Sequence, residues 1–287
     1  MTIKQLVVVA DHSWPNIAEV LRALVALAAR DGAVVLFDGN VHSGCLAEQL
    51  CASPAEVVRF VGGRVAAIDP TRCDGCGLCL SACRLCAIQR TDSGIAIDPA
   101  ICEACQSCYY QCPIHAIDML ERDTGTWTRS TWAMGALFSA RLDVGQPDSG
   151  KLLNVARLQA RTAAMAARPA TLIVAAPADQ PEAVSSCLFG ADLALLLVTS
   201  EQDLQGLGAQ SAMAATARVR AMALDCASQG LEPLRGQVEA VCRDLALDLA
   251  VASPPLHRES TASPAAAQSV GSLSQAWPGI RRRLWVR

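Results

Sequence analysis

A duplicated cysteine motif constrains the fold of this chain more than any other feature. Residues 68–88 (IDPTRCDGCGLCLSACRLCAI) match residues 97–117 (IDPAICEACQSCYYQCPIHAI) at a constant offset of 29 residues. Both copies have the spacing Cys-x2-Cys-x2-Cys-x3-Cys, with Cys73, Cys76, Cys79 and Cys83 in the first and Cys102, Cys105, Cys108 and Cys112 in the second. The segment is therefore expected to fold as two related halves, each presenting its own set of thiols.

This spacing is typical of proteins that bind two cubane iron–sulfur clusters. Three thiolates on a tight loop can reach three irons of one cluster, while the fourth, on the following turn, faces the other cluster. We therefore expect two 4Fe–4S clusters, one on Cys73, Cys76, Cys79 and Cys112 and the other on Cys102, Cys105, Cys108 and Cys83. A pair of zinc sites is the alternative, although zinc favours two Cys-x2-Cys pairs separated by a longer stretch.

The two loops between these cysteines differ in composition. Gly75 and Gly77 allow the first loop to turn tightly, whereas Ala104 and Gln106 occupy the equivalent positions of the second. The surroundings of the two clusters are therefore expected to differ.

Other cysteines, and one position after the motif, depart from the repeat. Arg84 follows the first copy where Pro113 follows the second. We expect the additional Cys86 to be a small buried apolar residue, with a spare cluster ligand as the alternative. The scattered cysteines are expected to be structural; these are Cys45, Cys51, Cys187, Cys226 and Cys242.

On either side of the motif, the sequence alternates between apolar strands and amphipathic helices. Strands are predicted at 6–10, 33–38, 171–177, 191–200 and 247–253, and helices at 17–28, 152–167, 204–217 and 234–246. Such alternation predicts an α/β fold with a doubly wound, mostly parallel sheet covered on both faces. Ser13 is expected to cap the first helix, and Pro15 to be its first residue.

Four segments follow from these patterns. Residues 1–62 and 121–251 are expected to form the two parts of the α/β domain, with 63–120 as the inserted cysteine-rich domain. Residues 252–287 are rich in Ser, Ala and Pro and end in a basic segment with two tryptophans, which predicts a flexible tail. A short docking peptide is the alternative for that basic end.

Composition excludes several classes of function. The formal net charge of −3 provides no basic field for nucleic acid. No apolar run approaches the roughly 20 residues of a membrane helix, and the N-terminus does not resemble a signal peptide. Fourteen cysteines in such a chain favour metal or cluster binding over disulfides, so we expect a cytoplasmic protein.

Four features follow one another along the chain: a strand ending in FDGN (37–40), the cysteine repeat, DSGKLL (148–153) and GADLALLLVTS (190–200). This order resembles that of the MinD-type P-loop ATPases that carry an inserted ferredoxin domain. The repeat itself is similar to bacterial two-cluster ferredoxins. The resemblance implies a P-loop NTPase-like sheet over about 3–255 with an inserted α+β domain of the bacterial ferredoxin type.

The nucleotide motifs of that family are degenerate in this chain. Its KGGxGKT phosphate loop falls on residues 12–18, where His12 and Ile17 stand in the places of the two lysines. Trp14 is expected to fill space that a phosphate would occupy, and Pro15 has no backbone N–H to donate.

A second nucleotide element has also changed. The family aspartate that serves magnesium corresponds to Ala175, and Pro177, Ala178 and Asp179 replace its Pro-Pro-Gly. Asp38 remains at the end of the second strand, where we expect it to cap a loop.

These features predict an iron–sulfur protein that has no catalytic residues and that transfers electrons between redox partner proteins. ATP binding and hydrolysis are not expected, because two separate elements of phosphoryl transfer are missing. One alternative is a non-catalytic regulatory or assembly subunit that pairs with an active MinD-type ATPase or forms a homodimer. The other is an active ATPase with a non-standard phosphate loop.

Overall fold

The structure is a computed structural model that describes residues 3–11, 13, 16–43, 45–146, 149–226, 232–252 and 265–285. The strands are β1 (Lys4–Ala10), β2 (Ala33–Asp38), β3 (Ser53–Ile68), β4 (Ile88–Thr91), β5 (Gly94–Ile97), β6 (Ile117–Trp132), β7 (Gly135–Leu142), β8 (Ala170–Pro177), β9 (Leu193–Val198), β10 (Arg220–Asp225) and β11 (Asp248–Val251). The helices are α1 (Ile17–Ala28), α2 (Leu46–Gln49), α3 (Leu78–Ala82), α4 (Ser107–Gln111), α5 (Ser149–Ala166), α6 (Pro181–Leu188), α7 (Glu201–Thr216), α8 (Glu232–Asp244) and α9 (Ala265–Trp285). Across these ranges, no helix combines the length and apolar content needed to cross a membrane.

Nine strands form one sheet, in the order β11-β10-β9-β1-β8-β2-β7-β6-β3. All neighbouring pairs from β11 to β7 are parallel. Every residue of β1, β8 and β9 is buried, because strands in the middle of a parallel sheet are covered on both faces. The mostly parallel α/β sheet predicted from the sequence is confirmed.

The first helix begins later than the sequence predicts. Asn16 is the N-cap residue of α1, and its side chain makes no capping hydrogen bond. Ser13 is not the cap; its backbone N–H donates to Asp11 Oδ1 at 2.8 Å. Pro15, the predicted first helical residue, lies outside the described residues.

The chain divides into two compact units. Unit 1 comprises residues 1–57, 127–141 and 153–287, and unit 2 comprises 58–126 and 142–152. Unit 1 contains the large apolar core, in which α1 buries Leu21, Leu24 and Leu27 completely. The cysteine repeat lies entirely within unit 2.

Unit 2 reproduces the sequence repeat as two interlocked halves. Strands β4 and β5 pair as an antiparallel hairpin between the short helices α3 and α4. The N–H of Asp69 donates to the carbonyl of Ala116 at 2.8 Å, and the N–H of Asp98 donates to that of Ala87 at 2.7 Å. Because these two bonds are reciprocal, each half is held to the other at equivalent positions.

The C-terminal segment differs from the predicted flexible tail. Residues 253–264 lie outside the described residues, but α9 is a long helix that packs against α1 and β1. Its inward face buries Leu273, Ala276, Trp277, Ile280 and Leu284. These positions have the spacing of one face of a helix, although the segment is rich in Ser and Ala. Arg281 adds a two-pronged ion pair with Asp31, at 2.8 and 2.7 Å. The described part of α9 therefore belongs to the core of unit 1.

Replacing Ile280 with alanine is expected to lower the free energy of unfolding by about 2–5 kcal/mol, because the side chain is fully buried. Urea denaturation followed by circular dichroism measures this loss. The control is Arg282→Ala on the exposed face of α9, expected to change stability by less than about 0.5 kcal/mol. Equal effects of the two substitutions would contradict the packing of α9.

Candidate functional site

The eight cysteines of the repeat line two cavities in unit 2, which we name by their thiols. Cavity A is lined by Cys73, Cys76, Cys79 and Cys112. Cavity B is lined by Cys83, Cys102, Cys105 and Cys108. Each cavity thus combines three thiols of one motif with the fourth thiol of the other, which is the grouping that the spacing predicts. The binding of iron in these cavities stays a prediction.

The backbones around the two cavities follow the same path. Gly75 and Gly77 have φ values of 76° and 80°, and their counterparts Ala104 and Gln106 have values of 55° and 65°. The helices α3 and α4 begin directly after Gly77 and Gln106, respectively, at equivalent positions of the two motifs. The second loop therefore keeps the left-handed geometry of the first without its glycines, at a cost of roughly 1–2 kcal/mol per residue.

The innermost thiol of each motif is buried among other thiols. Burial raises the pKa of Cys79, and repulsion from the thiols of Cys73, Cys76 and Cys112 adds to this. Burial likewise raises the pKa of Cys108, next to Cys102 and Cys105. Thiols so arranged resist ionising together unless a bound cation compensates their charge.

Several polar groups contact the sulfur atoms. The N–H of Ala104 donates to Cys102 Sγ at 3.5 Å, and the N–H of Ala116 donates to Cys112 Sγ at 3.2 Å. The thiol of Cys105 lies 3.5 Å from the Ser107 hydroxyl, which lowers the pKa of that cysteine.

The two cavities differ in size. Cavity B measures about 220 Å³ and cavity A about 20 Å³. Cavity A has room for little more than a water molecule, so it has to widen to hold a larger group. Within the described ranges, no group of three or more His, Cys, Asp or Glu side chains is placed to hold a metal ion.

The predicted burial of Cys86 is wrong. Its thiol is exposed, and it is not among the residues that line cavity A or B. Cys86 and its counterpart His115 both have positive φ, in turns closed by bonds from their N–H groups to the carbonyls of Cys83 and Cys112. This turn is compatible with an outward side chain, as the exposure of Cys86 shows.

The scattered cysteines divide by burial. Cys187, Cys226 and Cys242 are buried, as expected of structural residues, whereas Cys51 is exposed and Cys45 half-buried. Burial raises the pKa of Cys187 to about 12, so this thiol stays neutral.

Unit 1 has a third cavity, cavity C, of about 790 Å³ at the carboxyl ends of its parallel strands. Its lining includes Asp11 after β1, Asn40 and His42 after β2, and Asp179 after β8. The chain leaves β1 towards β2 and leaves β8 towards β9, in opposite directions across the sheet. Ligands of α/β proteins bind at such a switch point. No lysine or arginine is present among the described residues that line it.

Asp38 organises the loop beside cavity C, as the sequence predicts. Its Oδ1 accepts the N–H of Asn40 at 3.0 Å, and Asn40 Oδ1 accepts the N–H groups of His42 and Ser43 at 3.1 and 3.2 Å. Complete burial raises the pKa of Asp38 to about 7, an effect only partly opposed by the Asn40 hydrogen bond. Gly39 is required next to it, since a Cβ there would lie 2.7 Å from the carbonyl oxygen of Ala175.

The positions aligned with the phosphate loop are only partly described. Ile17, at the place of the second lysine, is 2% exposed and belongs to the apolar core, and Ala175 is fully buried. His12, Trp14 and Pro15 lie outside the described residues, so the filling of the loop by Trp14 stays a prediction.

Comparisons with known proteins do not assign a family. No protein-family model matches the chain, and no curated protein matches it. Among solved structures, cobyrinic acid a,c-diamide synthase from Mycobacterium smegmatis, with bound ADP and magnesium, is 15% identical, covering 98% of this chain and 97% of that chain with a TM-score of 0.44. The MinC:MinD cell division protein complex of Aquifex aeolicus is 12% identical, covering 96% of both chains with a TM-score of 0.46. These values are too low to place the chain in either family.

The raised pKa of Asp38 makes the stability of the protein depend on pH. Between the ordinary value of 3.8 and about 7, the carboxyl group ionises in the unfolded chain but not in the folded one. Ionisation therefore favours unfolding as the pH rises. The free energy of unfolding of Asp38→Asn, minus that of the wild type, is expected to increase by up to about 4 kcal/mol as the pH rises from 4 to 7. Chemical denaturation across this range measures the difference, and a difference that does not vary with pH would contradict the raised pKa.

Proposed function

We propose that unit 2 binds two 4Fe–4S clusters and that the protein transfers single electrons between redox partner proteins. The observation that carries this proposal is the crossed grouping of eight free thiols into cavities A and B. A cluster bound in such a cavity accepts and returns one electron at a time.

The chemistry of the donor set fits such clusters. Each cavity offers four thiols, the number that a 4Fe–4S cluster requires, and none of the fourteen cysteines is in a disulfide. In cavity A these are Cys73, Cys76, Cys79 and Cys112, and in cavity B they are Cys83, Cys102, Cys105 and Cys108. Backbone N–H groups directed at Cys102 and Cys112 resemble the hydrogen bonds that tune cluster potentials.

The small core of unit 2 also favours a bound group. Its buried cluster consists of Ala66, Cys79, Ile88, Cys108 and Ile117, so two of its members are thiols. Small domains with so little apolar core usually need disulfides or metals to remain folded. Because unit 2 has no disulfide, iron clusters would supply the missing stabilisation.

The strained loop of the second motif supports the same conclusion. Ala104 and Gln106 hold left-handed conformations that glycine adopts at lower cost. Such strain persists where the surroundings determine the geometry, and it is common at ligand sites. Retention of the loop shape without its glycines is explained if that shape is needed to place Cys102, Cys105 and Cys108 around one group.

Paired substitutions test the crossed ligand sets. We expect about eight irons per chain after anaerobic purification, and about four after either Cys79→Ala or Cys112→Ala. The double variant C79A/C112A should also retain about four, because both residues serve cavity A. By contrast, C79A/C83A should retain almost none, because it removes one ligand from each cavity. Iron and sulfide analysis with electron paramagnetic resonance of the reduced protein measures each case.

Cys86→Ala is the matched control, since this thiol is exposed and lines neither cavity. It should keep the full iron content. Bound zinc in place of iron and sulfide would refute the proposal. If C79A/C83A kept as much iron as either single variant, the crossed assignment would be wrong.

We further propose that unit 1 is a degenerate MinD-like scaffold that does not hydrolyse ATP. Asp11 and Asp179 contribute carboxylates to cavity C, and its described lining offers no cation to a triphosphate. The position aligned with the second phosphate-loop lysine is the buried Ile17. The resemblance of the sequence to MinD-type ATPases supports this proposal. The second candidate function is that of an inactive subunit that pairs with such an ATPase.

Titration calorimetry with MgATP tests this directly. The expected result is no saturable heat, with any dissociation constant weaker than about 1 mM. The measurement should be repeated on apoprotein and on iron-loaded protein, so that a requirement for clusters is detected. Tighter binding in either form would contradict this proposal and favour the alternative, an active ATPase with a non-standard phosphate loop.

A further inference from the structure

We infer that Arg84 and Ser107 raise the reduction potential of a cluster in cavity B above that of a cluster in cavity A. This inference rests on the proposed function, and it assigns a direction to electron movement within unit 2. An electron that reaches cavity A would pass to cavity B, so that the first site is oxidised as the second is reduced.

The charges around the two cavities are not equivalent. Arg84 and Glu103 are the charged residues that line cavity B, and Asp74 is the charged residue that lines cavity A. Apart from the thiols, the described lining of cavity B is therefore formally neutral, whereas that of cavity A is negative by one charge. Reduction adds a negative charge to a cluster, so the less negative surroundings favour it.

Arg84 has a well-defined counterpart. It follows Cys83, a cavity B thiol, and Pro113 follows Cys112, the equivalent thiol of cavity A. The backbones at Cys83 and Cys112 are alike, with φ and ψ of −90° and 104° and of −81° and 110°. Equivalent backbones at the two thiols are thus followed by a cation in the first motif and by an uncharged ring in the second.

Ser107 adds a hydrogen bond on the same side. Its hydroxyl lies 3.5 Å from Cys105 Sγ and can donate to that sulfur when the thiol is ionised. The equivalent residue near cavity A is Leu78, which has no donor. Hydrogen bonds to cluster sulfurs raise reduction potentials, so this contact acts in the same direction as Arg84.

Two cations outside the cavity linings lie near the first motif and act in the opposite direction. Arg72, next to Cys73, is already paired with the carboxylates of Asp69 and Asp118. Arg90 donates from Nη2 to the carbonyl of Gly75 at 3.3 Å, but it is not among the residues that line cavity A. Arg84 lines its own cavity, so we expect the effect of Arg90 to be the smaller of the two.

Reciprocal substitutions at one structural position provide the test. Anaerobic redox titration of the wild-type protein, followed by electron paramagnetic resonance, should show two steps separated by at least about 59 mV, a tenfold preference for one site. Arg84→Pro should lower the upper step and leave the lower one in place. Pro113→Arg should raise the lower step, and the two changes together should reverse the assignment.

Further variants keep the outcome interpretable. Arg84→Gln removes the charge without a new ring, in case Arg84→Pro fails to fold, and should also lower the upper step. Arg90→Gln should move the lower step, and by less than Arg84→Gln moves the upper one. Iron and sulfide content is measured first on each protein. A wild type without about eight irons refutes the proposed function. Full loading with coincident steps, or an upper step unmoved by Arg84→Gln, refutes only this inference.

Discussion

Two reciprocal hydrogen bonds, from Asp69 to Ala116 and from Asp98 to Ala87, determine how the thiols of unit 2 are grouped. Each bond ties the turn that precedes one cysteine motif to the residue that ends the other. Because the last cysteine of each motif lies four residues before the bonded alanine, the bond brings that cysteine to the thiols of the opposite motif. The crossed composition of cavities A and B is therefore a consequence of backbone pairing between the halves.

Unit 1 depends on a different constraint, the complete burial of its central parallel strands. The apolar runs of β1, β8 and β9 bury their side chains whether or not the loops at their carboxyl ends hold a phosphate. Stability and ligand binding are thus carried by different residues. Ile17 illustrates the separation, since this residue, aligned with a phosphate-loop lysine, belongs to the apolar core and not to the lining of cavity C. The loops at the carboxyl ends of such a sheet can therefore change without loss of the sheet.

The sequence predicted most of the buried strands, because these follow from local apolar runs, whereas the ligand sets of the two clusters stay a prediction. The apolar runs identified β1, β2, β8, β9 and β11, and the repeat identified the cysteines of both cavities. The sequence patterns did not predict the strand β10 or the helix α9. The helix was missed because its five buried positions are spread through a Ser- and Ala-rich segment. The exposure of Cys86 was also missed, since thiols are usually buried and only the positive φ of its turn, matched at His115, distinguishes it. The size of cavity A and the lining of cavity C depend on side chains brought together from distant segments, which no local pattern records.

The two halves of unit 2 show which properties of a thiol site depend on the backbone and which depend on side chains. Gly75 and Gly77 are replaced by Ala104 and Gln106 in the second copy, yet the φ angles stay alike, because the positions of three sulfurs depend on that path. At Cys83 and Cys112 the backbone again agrees, but the residues that follow them, Arg84 and Pro113, differ in charge. Geometry for binding is thus shared by both copies, whereas the electrostatic surroundings are free to diverge after duplication. Under the proposed function, two sites built in this way would bind the same kind of cluster with different reduction potentials.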